Sequence, residues 1–465
     1  DSLIVTGHTK VTAGLENASG ATMAVEGATL EVTGDWSNAG TLEVQALWIG
    51  FGNAASSVWT RSGTLTNTGT LRSRDLNTNG ASVNVLSGNL INEGEVLIDR
   101  NTQFSSYWVD AASTYTEKGT STVKSGVTWT IADPRTTFVL DGGSVTGAGT
   151  FSVSNQTVDV KQDSRVSGLA SFTSTRFTGT GELNVAGTST FTSTTVDAPM
   201  IFSGSVTHAG NGTASRSLRI VSGGTLTLGS GSVLTSGQGV INEGVLAGTG
   251  TLAGSLTNAG IVRPNGDGLG SLTIQGDYTQ TADGTLDVQL AANTSFDRLN
   301  VSGTASLAGA VKVGVLSAYS PNPSFAHAVL TADTARTGQF GSLSAPTGYT
   351  FTTEYLAKGA SLKGRLDVTP GDYFEHLYPQ LRDGLKDLFP VALLERLEAA
   401  PLPLTTGAPN LDGRLETQLG NLDTRFANLA GTTGRLTKLL TEGLKITLPS
   451  QSDCNAIVTG SAPAG

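Results

Sequence analysis

Histidines and carboxylates are the first candidates for chemistry in this chain of 465 residues. Cleavage of a glycosidic bond needs two carboxylates at acid and base distance, or carboxylates binding calcium beside an Arg or Lys base. The four histidines, His8, His208, His327 and His376, are widely scattered, and none stands beside a recognisable partner motif. Adjacent or alternating acidic pairs on a strand-like stretch are missing as well. Asn265-Gly-Asp267-Gly resembles a fragment of a calcium loop, but the repeating Gly-Asp nonapeptide of calcium-bound β-rolls is absent, and a plain tight turn is the competing reading. The expectation is a chain with no catalytic residue, no metal and no cofactor.

Aromatic residues offer a second kind of chemistry. All five tryptophans, Trp36, Trp48, Trp59, Trp108 and Trp129, lie in the first third of the chain, with Phe51, Tyr107 and Tyr115 among them. Aromatic platforms stack on sugar rings, which makes Trp48, Trp59, Tyr107 and Trp108 the candidate glycan contacts. Inward-facing core positions are the alternative, particularly for Trp36. The single cysteine, Cys454, excludes a disulfide within the chain. It sits in the polar stretch Gln451-Ser-Asp-Cys-Asn455, where it is either incidental or a thiol able to pair between chains.

The elements that must position these residues are announced by a recurring phrase: apolar, any, Asn, any, Gly, any, Leu or Val. It reads Trp36-Ser-Asn38-Ala-Gly40-Thr-Leu42, Leu65-Thr-Asn67-Thr-Gly69-Thr-Leu71, Leu90-Ile-Asn92-Glu-Gly94-Glu-Val96, Val240-Ile-Asn242-Glu-Gly244-Val-Leu246 and Leu256-Thr-Asn258-Ala-Gly260-Ile-Val262. A phrase returning at one-coil intervals within alternating apolar and polar residues predicts a solenoid. Asn and Gly tolerate positive φ, so the reading places Asn38, Asn67, Asn92, Asn242 and Asn258 in corners between short strands, where stacked amides can form a ladder. The flanking apolar residues face inward on a period of two. A β-sandwich with Asn-Gly turns is the competing architecture.

Composition points the same way. Gly accounts for 60 of 465 residues and charged residues for 14%, where soluble domains average about 7% and about 25%. The formal net charge of −10, with no basic cluster, denies a nucleic-acid partner its electrostatic footprint. No apolar run approaches the roughly 18 residues of a spanning helix. Strand-like Leu3-Ile4-Val5-Thr6 leaves no room for a signal peptide, so the numbering is expected to start in a mature or trimmed product or a fragment. Coils of roughly 16 to 25 residues would make roughly 15 to 20 rungs. Asp99 to Lys118 reads as a loop leaving the stack, and Asp133-Pro134-Arg135 as a turn.

The segment Gly248-Thr-Gly-Thr-Leu252 through Asn258-Ala-Gly260, Ile261-Val-Arg-Pro264-Asn-Gly-Asp-Gly268, Ser271-Leu-Thr-Ile-Gln-Gly-Asp-Tyr278, Gly284-Thr-Leu-Asp-Val288 and Asp297-Arg-Leu-Asn-Val-Ser-Gly303 resembles the C-terminal passenger portion of the autotransporter adhesins. Ala328-Val-Leu-Thr-Ala332 to Leu362-Lys-Gly-Arg-Leu366 resembles their closing rungs. The resemblance implies a right-handed, single-stranded parallel β-helix (β-solenoid) over residues 1–368, with capping rungs near 317–368, exported to a bacterial surface. The stretch after Pro370 carries neither the ten-residue alternating segments nor the aromatic girdles of a membrane barrel.

That stretch reads instead as a small α-helical region, 371–446, with a polar tail at 447–465. Leu411, Leu415, Leu419, Leu422, Phe426 and Leu429 fall on one helical stripe that needs a partner, either a rod end, a neighbouring helix or another subunit. The reading that follows is an extracellular structural or adhesive β-solenoid, non-catalytic and self-associating, with surface glycans or matrix as partners. Its alternatives are a head-to-tail subunit of an extracellular filament or sheath, and a β-helical polysaccharide lyase or hydrolase supported by fold analogy alone.

Overall fold

Period-two alternation, as in Thr29-Leu-Glu-Val-Thr33, places every second side chain on one side of an extended chain. A computed structural model describes residues 2–12, 14–48, 53–75, 83–109, 111–316, 319 and 321–367, and these are mainly β. No helix occurs among the described residues. The expected helices at 371–446, their Leu411 to Leu429 stripe and Cys454 lie outside them. The chain divides into two compact units, Asp1–Leu316 with His327–Ala345 and Thr353–Leu362, and Ser317–Ala326 with Pro346–Thr352 and Lys363–Gly465. The first carries the repeat.

In that unit the strands pair in parallel with strands one coil away. Ser2–Val5 pairs with Thr22–Glu26, which pairs with Thr41–Trp48, which pairs with Thr70–Asp75. This first face continues to Ala335–Gly338 in a sheet of 17 strands. One of the 17, Asn53–Ala54, is only a hairpin partner of Thr41–Trp48, which leaves sixteen stacked rungs among the described residues. At about 4.8 Å per rung the stack rises about 70 Å. A second face runs from His8–Val11 through Thr29–Thr33 to Ser342–Ser344, and a third from Glu16–Asn17 through Trp36–Asn38 to His327–Ala332. The strands Ser57–Asn67 and Asn84–Asn92 are long enough to turn the corner between the second and third faces, bending at Ser62 (φ 54°) and Gly88 (φ 96°). At the far end, residues of Gly359–Leu366 pair antiparallel with His327–Ala332 and close the parallel ladder. This is the arrangement of a β-solenoid.

Strict register turns the inward residues into columns. On the first face Leu42, Leu71, Val96, Ser121, Val145, Val166, Val185, Phe202 and Ile220 lie one above another. A slip of one residue would put that whole column in solvent. Aromatic rings fill the middle coils, with Trp129 and Phe151 at 5.0 Å, Phe172 and Phe177 at 5.0 Å and Phe191 and Phe202 at 5.9 Å. Their burial supplies much of the hydrophobic stabilisation there. Part of the stretch expected to loop out between Asp99 and Lys118 returns to the ladder as Thr102–Phe104 and Ser113–Glu117, and the residues between them leave it.

The glycine of the repeat phrase has a different cause from the one its sequence suggests. None of Gly40, Gly69, Gly94, Gly244 or Gly260 has positive φ, and neither do the asparagines before them. Each glycine instead lies against the preceding coil, where a Cβ would stand 2.2 Å from Ala21 O, 2.1 Å from Gly40 O, 2.2 Å from Gly69 O, 2.3 Å from Gly224 O and 2.2 Å from Gly244 O respectively. The turn needs glycine because two backbones touch. Replacing Gly69 by Ala is expected to cost about 1–3 kcal/mol by forcing those backbones apart. Gly237→Ala, whose nearest neighbour is Ala214 O at 3.8 Å, is expected to be near neutral in the same thermal denaturation. Equal melting temperatures for the two variants would overturn this account.

Leu256 tests the inward register in another way. It is 1% exposed and stacked between Val240 and Tyr278, so Leu256→Asp places a charge where no partner exists. A loss of about 3 kcal/mol or more is expected in urea denaturation. An unchanged midpoint would mean that the inward set is wrongly assigned.

Candidate functional site

On the second face, alternation sends Leu30 and Val32 into the core and Glu31 outward. Glu31 is nonetheless only 6% exposed, because three basic side chains close over it. His8 Nε2 lies 2.9 Å from its Oε2, Lys10 Nζ 3.4 Å from the same oxygen, and Arg61 Nε 2.9 Å from Oε1. Burial acts to raise the Glu31 carboxyl, but the hydrogen bond from His8 and the charges of Arg61 and Lys10 outweigh it and hold it below the usual range.

Trp59 pairs directly with Glu31 one coil on and carries the cluster into an aromatic group. The Arg61 guanidinium sits 5.9 Å from its ring centroid, and His8 meets the ring edge-on at 5.4 Å. Trp108 stacks on Trp59 at 5.4 Å with 7° between planes, and Tyr107 stands against Trp108 at 4.8 Å and 84°. Tyr107 is 66% exposed and Trp108 43%. Both belong to the segment after Thr102–Phe104, two coils beyond Trp59, so this loop climbs back along the stack. Its base is fixed: Ser105 Oγ donates to Asp133 Oδ2 at 3.0 Å, Ser106 and Thr136 hydroxyls meet at 2.9 Å, and Tyr107 N donates to Ser105 Oγ. Burial would raise Asp133, but hydrogen bonds from the Arg135 amide and Ser105 lower it. The Asp133-Pro134-Arg135 turn therefore anchors the aromatic loop.

Of the four aromatic residues singled out from sequence, Trp59, Tyr107 and Trp108 thus form one cluster. Trp48 ends the strand Thr41–Trp48, and its side chain lies outside the described set. Trp36 is in the core with Nε1 donating to Thr60 Oγ1 at 3.0 Å, and Trp129 is fully buried. Lys10, Glu31 and Arg61 escaped the sequence reading, which met His8 only as a scattered histidine without a partner motif. Their signal exists, as His-x-Lys, Glu and Trp-x-Arg on successive coils, but it aligns only once coil lengths are known.

The asparagines form two amide columns on two different corners. Asn17 Nδ2 donates to Asn38 Oδ1 (2.6 Å), Asn38 to Asn67 (2.6 Å), Asn67 to Asn92 (2.7 Å) and Asn92 to Glu117 Oε1 (2.6 Å), all on the third face. Asn242 and Asn258 make the same bond at 2.7 Å on the first face, and Tyr278 and Gln280 continue it. Each asparagine ends a strand and is 0–4% exposed. Glu117 ends the first column, because Leu140 occupies the next rung. Burial raises its carboxyl to about 7, against the lowering bonds from Ser121, Asn92 and Tyr115.

One further carboxyl stands near neutrality. Burial, with a smaller contribution from Asp287, raises Asp297 to about 7. An acid poised at that value beside Asp287, itself paired with Arg263 and Lys312, has the makings of an acid and base pair. Access denies the role: Asp297 is 0% exposed, and its two oxygens accept the amides of Gly270 and Gln289, which tie down the loop around it. Among the described residues no three His, Cys, Asp or Glu side chains gather as a metal site. Asn265 and Gly266 adopt positive φ in a tight turn held by Asn265 Nδ2 to Leu269 O at 2.7 Å, and Asp267 is a fully solvated partner of Arg263. An open polar groove of about 430 Å³ between Pro134 and Arg176 is lined by Thr, Asn, Gln and Ser, with Arg176 paired to Asp197 at 2.8 Å.

No protein-family model matches the chain, and no curated protein is similar to it.

The raised carboxyls fix a direction for pH dependence. For Glu117 and Asp297 the folded value lies above the unfolded one, so their contribution is full in acid, below about 4, and is lost as pH rises through about 7. Glu117→Gln keeps an acceptor for Asn92 without the charge. Its stability is expected to fall less than that of the parent between pH 5 and 8, by an amount on the order of a few kcal/mol. Parallel stability curves would count against a buried neutral Glu117.

Proposed function

We propose that this protein is an extracellular structural or adhesive β-solenoid of a bacterial surface, a right-handed parallel β-helix that performs no catalytic step. One observation carries the reading. The two carboxyls raised to about 7, Glu117 and Asp297, are sealed in the core, whereas the aromatic and ionic cluster of Trp59, Trp108, Tyr107, Lys10 and Arg61 reaches solvent. Such a cluster offers stacking surface and charge, which suit adhesion to a glycan, and the stacked coils beneath it hold it on a rigid support.

Self-association belongs to the same proposal through the Leu411, Leu415, Leu419, Leu422, Phe426 and Leu429 stripe, whose spacing supports a buried helical face. Deleting residues 371–465 is expected to abolish higher assembly in light scattering while leaving the β spectrum intact; assembly that survives would remove these residues as the junction. Purified protein is expected to leave pectin and alginate uncleaved with or without calcium. Clear depolymerisation would replace the adhesive reading with a lyase or hydrolase.

A further inference from the structure

We propose that the cluster on the second face binds an acidic saccharide, a uronate-type sugar whose ring stacks on Trp108 and whose carboxylate is held by Lys10 and Arg61. The inference rests on the adhesive reading above and adds the ligand's charge to it.

Three observations select the ligand. The first is ring exposure. Trp59 is half-buried by its stacking on Trp108, by the His8 edge and by Arg61, so most of the ring surface left for a ligand is that of Trp108 and Tyr107. Those rings meet at 84°, so the exposed aromatic surface is a platform of two nearly perpendicular rings. A sugar ring presents aliphatic C–H groups on one face, which pack on such a platform, while its hydroxyls remain solvated.

The second is local charge. The strands His8–Val11, Thr29–Thr33 and Ser57–Asn67 carry Lys10 and Arg61 against a single carboxylate, Glu31. That carboxylate is ionised and enclosed, so one permanent positive charge remains in surplus. Lys10 is 63% exposed and free to turn towards a ligand, and Arg61 is 31% exposed. The surplus disfavours a cationic guest such as a quaternary ammonium, which aromatic clusters otherwise accept. It favours an anion, and on a chain of net charge −10 the preference is local to this patch.

The third is pre-organisation. The loop carrying Tyr107 and Trp108 is tied to the next coil by Ser105 with Asp133 and by Ser106 with Thr136, so the platform does not have to be ordered by the ligand.

The experiment is calorimetric titration of the full chain with an oligogalacturonate and with a neutral cello-oligosaccharide of equal length, at two salt concentrations. The acidic sugar is expected to bind at least tenfold tighter than the neutral one, and more weakly at high salt. Trp108→Ala should abolish binding of both. Lys10→Gln, at an exposed position that leaves Arg61 and His8 on Glu31, should weaken the acidic sugar several-fold and leave the neutral one unchanged. Melting curves equal to the parent's show that both variants fold. Equal affinities for the two sugars, both lost in Trp108→Ala, would overturn the acidic assignment while leaving the adhesive reading standing. Binding that survives Trp108→Ala, or no binding of either sugar, would overturn the site itself.

Discussion

The structure depends on one approach distance, the few ångströms that parallel hydrogen bonds allow between successive coils. At that spacing a backbone carbonyl of one coil lies where the Cβ of the next would be, and the corner tolerates only glycine there. The Asn carbonyl before the glycine serves two amides of the following coil: Asn38 O accepts from Thr68 N and Gly69 N, and Asn67 O from Glu93 N and Gly94 N. The amide side chain then links to its counterpart in the same direction. Backbone pairing, side-chain bonding and glycine placement are three results of the same constraint, which is why they recur together as a phrase.

How much of this was legible follows from what is local. Period-two alternation and the Asn-x-Gly phrase are local, and from them the strands, the inward residues such as Leu65 and Val96, and the stacked amides can be read. Which corner a phrase occupies is not local. Asn92 and Asn242 sit in near-identical phrases, yet one ends a strand of the third face and the other a strand of the first. The aromatic and ionic cluster on the second face was hidden for a related reason. Successive stacked asparagines are 21, 29, 25 and 16 residues apart at different points, so no fixed period brings Lys10, Glu31 and Arg61 into register on paper. Variable corner lengths, such as those around Ser62 and Gly88, carry that information, and they follow no simple pattern.

Polar groups are used in two ways along the stack. Outward, they meet in alternating charge, as in Lys10 with Glu31 or Arg263 with Asp287 and Lys312, where each carboxylate is shared between cations on adjacent coils. Such sharing ties coil to coil and leaves little repulsion between like rungs. Inward, the amide columns bond from coil to coil, and both end on groups able to close the series: Glu117 with Tyr115 and Ser121 in one, Gln280 with backbone carbonyls of Gly284, Ala308 and Ala310 in the other.

Between the end of one column at Glu117 and the start of the other at Asn242, inward bonding gives way to rings and aliphatic side chains. A stack whose coils touch only their neighbours behaves as a one-dimensional series of interfaces, each with its own strength. The two amide-bonded blocks are directional and specific, and a hydrogen-bonded chain polarises along its length. The aromatic block between them keeps the backbone ladder on its faces but lacks the added side-chain bonds of an amide column from coil to coil. Under tension the molecule is therefore a composite, two stiff segments in series with a more compliant middle, and elongation would concentrate where the asparagines are missing.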